Sequence, residues 1–313
     1  MIFNRIAIYG HRGWASSAIV QALGLSGAPI RVLYRPGSDI STLPSNVTAV
    51  EVDVADQDAL VDALKDIDIV ISLVGHEGVS RQHHLVAAIA KSNVQLFVPS
   101  DLAARYDEQG MRVPVNHAKG TVEAAAKHAG ISTTVVLPGN FAEFALATGA
   151  MGVDYIKNRI IFTGDSATQP LNLCTRSYVA AAYASIFAST PINQIKSRTL
   201  ALCELSPTGD NITTALTEKF GTRTLSTSET TDSINDRVET ALSAGNPFAL
   251  AYYCRKIWGT GQQAAMLGSD VWDLKQYPKV SLRGLIVDGQ LESYREMPVQ
   301  VEQFFASHFD SCK

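Results

Sequence analysis

Residues 6–23 read IAIYGHRGWASSAIVQAL, and this one stretch constrains the fold more than any other. Ile6, Ala7, Ile8 and Tyr9 are apolar at consecutive positions, the pattern of a short parallel strand buried on both faces. Gly10 permits a sharp turn, and Gly13 leaves no side chain between the backbone and an approaching phosphate. The following segment places Ala18, Ile19, Ala22 and Leu23 on one helical face, so its free N–H groups point back at the turn, where they favour an anion. The spacing is G-x-x-G-x-x-S, not G-x-G-x-x-G, with Ser16 at the third glycine position. Taken alone, the stretch also fits an ordinary strand-turn-helix with no ligand.

The rest of the N-terminal half repeats the rhythm. Strands are expected at 30–35 and 47–56. A helix over 56–67 is capped by Asp56, with Leu60 and Leu64 inward. Another strand follows at 68–75, a helix at 82–92, a strand at 94–100, a helix at 117–129 stopped by Gly130, and a strand at 132–138. Six strands alternating with helices predict an α/β Rossmann fold, a doubly wound parallel sheet. After Pro138 the period loosens: a strand at 159–164, a helix at 177–188, a strand at 199–205, a helix at 209–221, then mainly helical sequence. The expected division is a nucleotide-binding domain over 1–150, rejoined by segments around 175–205, and a smaller, mainly α C-terminal substrate cap over 151–313.

With 313 residues, 46% of them hydrophobic, the chain can build one large or two intimate cores. A net charge of −4 gives no footprint for nucleic acid or an anionic membrane. After Met1 the chain reads straight into a strand without a signal pattern, and no apolar run reaches the ~18 residues of a membrane span. Cys174, Cys203, Cys254 and Cys312 are scattered, without C-x-x-C pairs, so reduced thiols and a cytoplasmic setting are expected. His83 and His84 are adjacent and diverge by about 100° on a helix. With no completing cluster, no metal site is expected.

Arg35 ends the second strand, where a carboxylate would bond the ribose of NAD and a guanidinium pairs with the 2′-phosphate of NADP. NADP(H) is therefore the expected cofactor. Arg12 in the turn can reach the same phosphate or stand in solvent. Asp53 accepts from the adenine amino group or caps a turn. Trp14 packs over the diphosphate, at the substrate mouth, or into the core. Ser72, Val74 and Gly75 end the fourth strand at the edge where such sheets pass their cofactor.

Several motifs in fixed order now agree: GHRGW, VLYRPGS, VISLVG, Gln82 opening a helix, LFVPSDLA, AKGTVEAAAKHAGI and PGNFAEF, together spanning 6–144, with a weaker echo in QYPKVSL near 277. In this the chain resembles the NmrA-like and isoflavone-reductase-like family of atypical short-chain dehydrogenases. Such proteins lack the Tyr-x-x-x-Lys pair, and here Tyr106 is followed four residues later by Gly110. The resemblance implies that Lys119 acts beside the nicotinamide, that Pro99, Ser100 and Asp101 lie near that ring, and that Asn140 and Phe141 border the substrate. An ammonium there would stabilise or protonate the anion left by hydride addition. Because a free lysine titrates near ~10.4, proton donation at neutral pH requires a site that lowers that value. Otherwise Lys119 is a ribose or phosphate contact, or an exposed residue of a polar first turn. His117 reads as a proton relay or an exposed histidine. The sequence departs from the family pattern at Ser16, at His11 with Arg12, and at Tyr178, where an acidic residue is usual.

The expected function is reduction by NADPH of an apolar ketone or enone, aromatic or polyketide-like, with Lys119 assisting and Phe144, Tyr155, Phe248, Tyr252, Tyr253 and Trp258 forming an apolar cap. The alternatives are a non-catalytic NADP(H)-sensing regulator, which alone requires a protein partner, and a redox-neutral isomerase or cyclase. A monomer or homodimer acting on a small molecule is expected, with neither nucleic acid nor membrane as partner.

Overall fold

The computed structural model describes residues 3–310; Met1 and Cys312 lie outside them. Strand β1 (Ile6–Tyr9) leads into α1 (Trp14–Leu25), followed by β2 (Ile30–Tyr34), β3 (Thr48–Glu51), α2 (Gln57–Ala63) and β4 (Ile69–Ser72). A 3₁₀ turn (His76–Arg81) then enters α3 (Gln82–Ile89), β5 (Leu96–Val98), α4 (Glu108–Met111), α5 (Pro114–His128) and β6 (Thr134–Leu137). The first five strands form a parallel sheet in the order β3-β2-β1-β4-β5. It extends to β6 by a parallel bridge between Phe97 and Thr133, giving the strand order of a dinucleotide-binding sheet.

Alternation along each strand divides the core into two layers, because successive side chains leave opposite faces. Ile6, Ile8, Ile69 and Ile71 pack with Ile19 and Leu23 of α1 on one face. On the other, Ala7, Tyr9 and Val70 meet Leu60, Leu85 and Val122 of α2, α3 and α5. Consecutive apolar residues are thus buried because both faces are covered.

The chain continues through β7 (Asn140–Phe141), α6 (Ala142–Ala147), β8 (Val153–Asp154), β9 (Arg159–Thr163), β10 (Leu173–Cys174), α7 (Arg176–Phe187), α8 (Ile192–Ile195) and β11 (Arg198–Ala201). Of these, β11 pairs in parallel with β6, and Tyr178, Val179 and Tyr183 of α7 enter the same core layer as α1. The remainder comprises α9 (Gly209–Phe220), β12 (Leu225–Glu229), α10 (Thr231–Ser243), α11 (Ala249–Gly259), α12 (Gln262–Leu267), α13 (Leu282–Ile286) and α14 (Val299–Ser307).

Several local readings need correction. The third strand is shorter than expected and stops at Glu51, so Asp53 lies beyond it in a turn. Helix α5 starts at Pro114, which fits the first helical position because its missing N–H is not needed there, and this moves Lys119 out of the first turn. Strand β12 lies within sequence expected to be mainly helical; it pairs with β9 and, with β8, makes a separate three-stranded sheet. Tyr178 lies inside α7, whose N-terminus is capped by Thr175. No described helix is long and apolar enough to cross a membrane.

Candidate cofactor and active site

The glycine turn is shaped by contact with β4. Gly10 adopts φ +98°, and a Cβ there would stand 2.8 Å from the Leu73 carbonyl carbon and the Val74 nitrogen, so both conformation and space demand glycine. Gly13 is exposed, extended at φ −67°, and forms the N-cap of α1 without a side-chain hydrogen bond. The first turn of α1 contains no acidic residue. Ser16 is buried, and its hydroxyl donates to the Gly13 carbonyl at 3.1 Å. A Cβ on Gly13 would lie 2.8 Å from that hydroxyl, so the serine crowds the turn from beneath and leaves its outer face open.

Arg12 and Arg35 are both exposed, and their guanidinium groups make no hydrogen bond or ion pair among the described residues. A His11 ring nitrogen donates to the Asp39 carbonyl at 3.0 Å, tying the glycine turn to the loop after β2. Asp39 itself is held below the usual carboxylate range, first by the Ser41 N–H, with the charges of Arg12 and His11 adding to the effect. Asp53 accepts from the Ala55 N–H at 3.0 Å, so its carboxylate caps its own turn.

From the turn, the edge runs along the ends of β4 and β5. Ser72 is fully buried, which takes its side chain away from the accessible edge, whereas Val74 is partly exposed and Gly75 opens onto free space. Ser100 is locked in place: its hydroxyl donates to the Val74 carbonyl at 2.7 Å and its N–H to Gln82 Oε1 at 2.8 Å. Pro99 is buried beside it. The buried Gln82 thus ties the start of α3 to the end of β5, a role its place in the sequence did not reveal.

Lys119 lies in the second turn of α5. Its ammonium donates to the Asp101 carbonyl at 2.6 Å and to Asp101 Oδ1 at 3.3 Å, and its side chain is 16% exposed. An ammonium has three N–H donors, so one remains free. His117 is exposed. His76, at the start of the 3₁₀ turn, is pushed below the usual imidazole range by loss of hydration, then by Lys119 and Arg295.

On the other side of the edge, Asn140 is buried and the Phe141 ring meets Trp14 edge-on at 5.2 Å. Trp14 also donates from Nε1 to the Ser293 carbonyl at 3.2 Å, and the Arg176 guanidinium lies 5.2 Å from its ring. The acidic groups expected near residue 178 come from elsewhere in the chain: Glu204 Oε2 accepts from Thr175 N and Oγ1, and Glu143 Oε1 accepts from Arg176 N. Glu143 is 1% exposed with Oε2 unpartnered, and burial raises its pKa to about 7.

Of the six cap aromatics, only Phe144 joins this ring cluster, through Tyr294. Tyr253 and Trp258 are buried, donating to Asp107 and to the Gln169 carbonyl. Phe248 and Tyr252 pack against Phe304, and Tyr155 accepts from Lys219. Two cavities of about 640 and 330 Å³ lie around Arg237 between α10, β12 and α11, lined by no residue of the glycine turn. Among the described residues no group of three His, Cys, Asp or Glu side chains is placed to hold a metal, and His83 and His84 are exposed.

Against known proteins, a phenylcoumaran benzylic ether reductase of Pyrus communis, Pyrc5, is 31% identical over 179 residues, covering 52% of this chain and 58% of that protein. The chain thus spans little more than half the length of the curated relative it matches. Among solved structures, one of the pinoresinol-lariciresinol and phenylcoumaran benzylic ether reductases superposes with a TM-score of 0.76 at 18% identity, covering 91% of this chain and 98% of that one. A leucoanthocyanidin reductase of Vitis vinifera, solved with NADPH, gives 0.69 at 17% identity and covers 97% and 99%. The profile of the NmrA-like family matches residues 3–225, most of the sequence, and the chain belongs to that family.

Proposed function

We propose that the protein is an NADPH-dependent reductase of an apolar small molecule bearing a ketone or an enone, and that its glycine turn, Arg12 and Arg35 hold the coenzyme. The residues fit that group: an uncapped helix N-terminus without acidic side chains, an outer face left open at Gly13, and two unpaired guanidinium groups suit a diphosphate and a 2′-phosphate. When bound, the coenzyme supplies a hydride.

The observation that carries the reading is the Lys119 ammonium, fixed by two hydrogen bonds to Asp101 at the carboxyl edge of the sheet. As a carbonyl carbon gains hydride, its oxygen becomes an anion, and the third N–H of Lys119 is free to stabilise it. Asp101 meanwhile restrains the amine, so little reorganisation is needed. Phe141, Phe144 and Trp14 supply apolar walls. Pyrc5 is named for reducing a benzylic ether, which supports an aromatic substrate.

Purified protein mixed with NADPH and a panel of aryl ketones and enones should consume nicotinamide absorbance. Lys119→Ala should lower kcat about 10²-fold or more while leaving coenzyme affinity nearly intact. Full activity in that variant would remove Lys119 from the chemistry. A strong preference between NADP⁺ and NADPH without turnover of any substrate would favour a sensing role.

A further inference from the structure

Residues 289–298 connect α13 to α14 without regular secondary structure. Gln290 N donates to the Gly284 carbonyl, Leu291 N to the Leu285 carbonyl, and Val301 N to the Pro298 carbonyl; residues 292–297 make no backbone-to-backbone hydrogen bond among the described residues. Side-chain contacts hold the segment across the edge just described. The Ser293 carbonyl accepts from Trp14 Nε1 at 3.2 Å, and Arg176 lies 4.0 Å from Glu292. Tyr294 is wedged between Trp14 at 4.9 Å and Phe144 at 5.5 Å, both edge-on.

The next residue, Arg295, is exposed and has no ion pair or hydrogen bond among the described residues; its guanidinium lies 5.7 Å from the centre of the Tyr294 ring. Its charge, after burial and Lys119, helps hold His76 below the usual imidazole range. His76 follows Gly75 at the end of β4. The Trp14 contacts therefore set the segment beside the first residue of α1, at the edge where a dinucleotide diphosphate passes in this type of sheet, with the charge of Arg295 felt at His76.

We propose that residues 289–298 form a strap that closes over the bound dinucleotide, with Tyr294 as its anchor and Arg295 as a further cation for the diphosphate. The proposal rests on the coenzyme reading above. Leu291 and Met297 pack against the core at the two ends of the strap, so its middle can lift at small cost by releasing the Ser293 hydrogen bond, the two Tyr294 ring contacts and the long Glu292 ion pair. Glu292 faces Arg176, and Arg295 is the one cation the strap carries, with the exposed Glu296 beside it.

Limited tryptic digestion of the full chain, read by mass, tests closure directly, because Arg295 is an exposed cleavage site. NADP⁺ should slow cleavage after Arg295 at least tenfold. In calorimetry, Arg295→Gln should weaken NADP⁺ binding about tenfold and flatten its salt dependence, the loss expected for one charged contact. Arg295→Lys should recover part of the loss, and Tyr294→Ala should abolish protection from trypsin. If the wild-type chain binds NADP⁺ without protection, and Arg295→Gln binds it equally well, the strap is a static surface and the coenzyme reading stands alone. If the wild-type chain binds neither NADP⁺ nor NADPH, strap and coenzyme readings fall together.

Discussion

The glycine turn and the C-terminal cap are held by different kinds of force. In the turn, backbone meets backbone: Gly10 lies against Leu73 and Val74, and β1 pairs with β2 and β4 in unbroken register. In the cap, elements far apart in sequence are joined by side chains. Arg255 donates to Glu229 and Thr163, Lys256 to Gln109 and Asn235, and Arg112 to Glu239. Backbone geometry shapes the turn proposed to receive the coenzyme, whereas side-chain networks set how the cap is oriented. Damage to the two regions should therefore be separable.

The largest loss is expected in the cap. Arg255 is 2% exposed, and its Nη2 lies 2.6 Å from Glu229 Oε2, which also faces Arg237. Arg255→Ala leaves that carboxylate with the exposed Arg237 as its remaining cation, beside the Ser233 hydroxyl, and should cost about 3–5 kcal/mol in urea unfolding. NADP⁺ affinity of the folded fraction should stay within about twofold, the RT ln 2 scale of an uncoupled site. A parallel loss of affinity would show the regions to be one energetic unit.

Gly10→Ala is the reciprocal test. Its Cβ would stand 2.8 Å from backbone atoms of Leu73 and Val74, which cannot rotate aside, at a φ of +98°. Strain and overpacking together predict a loss of about 3 kcal/mol, accompanied by weaker NADP⁺ binding. An affinity equal to wild type would separate the turn from the coenzyme.

The same contrast explains what the sequence could reveal. Strands β1, β2, β4, β5 and β6 announce themselves as apolar runs bounded by turn residues, because each is buried on both faces by nearby helices. Strand β12 reads LSTSE, nearly all polar, and exists through pairing with Arg159–Thr163, a partner no local pattern names. Lys119 stands within the motif AKGTVEAAAKHAGI, but its tether to Asp101 depends on α5 starting at Pro114. Glu143 and Arg176 stood in plain sight within PGNFAEF and at the start of α7, yet their proximity arises only when α6 packs beside that helix. Residues 289–298 carry no periodicity, so their position over the sheet edge had no signal at all.

Glu143 lies where the two regions join and provides a pH test of intermediate size. Burial, reinforced by Glu292 and Glu204 and opposed by the Arg176 N–H, raises its pKa from 4.5 to about 7. The fold thus favours the protonated carboxyl: its contribution is complete below about pH 4.5, the ordinary value, and disappears as pH rises to about 7. Glu143→Gln retains an acceptor for Arg176 N and removes the titration. The variant should gain stability over wild type across that window, by roughly 2–3 kcal/mol at pH 8, with melting compared at pH 5 and pH 8. Parallel pH profiles for the two proteins would mean that the carboxyl is solvated and ionised throughout.

The smallest effect concerns Ser16 itself. Gly13→Ala should lose about 1 kcal/mol, partly from a poorer N-cap and partly because the new methyl group would meet the buried Ser16 hydroxyl at 2.8 Å. Ser16→Gly removes that hydroxyl along with its bond to the Gly13 carbonyl, and adds glycine's helix penalty, for a loss of about 1 kcal/mol as well. If crowding beneath the turn is the reason Gly13 must be glycine, the double variant should be more stable than the two losses predict, by roughly 0.5–1 kcal/mol of coupling. Additive losses would instead mean that Gly13 is required from the outer face, by whatever approaches the helix N-terminus, and that the serine merely fills space.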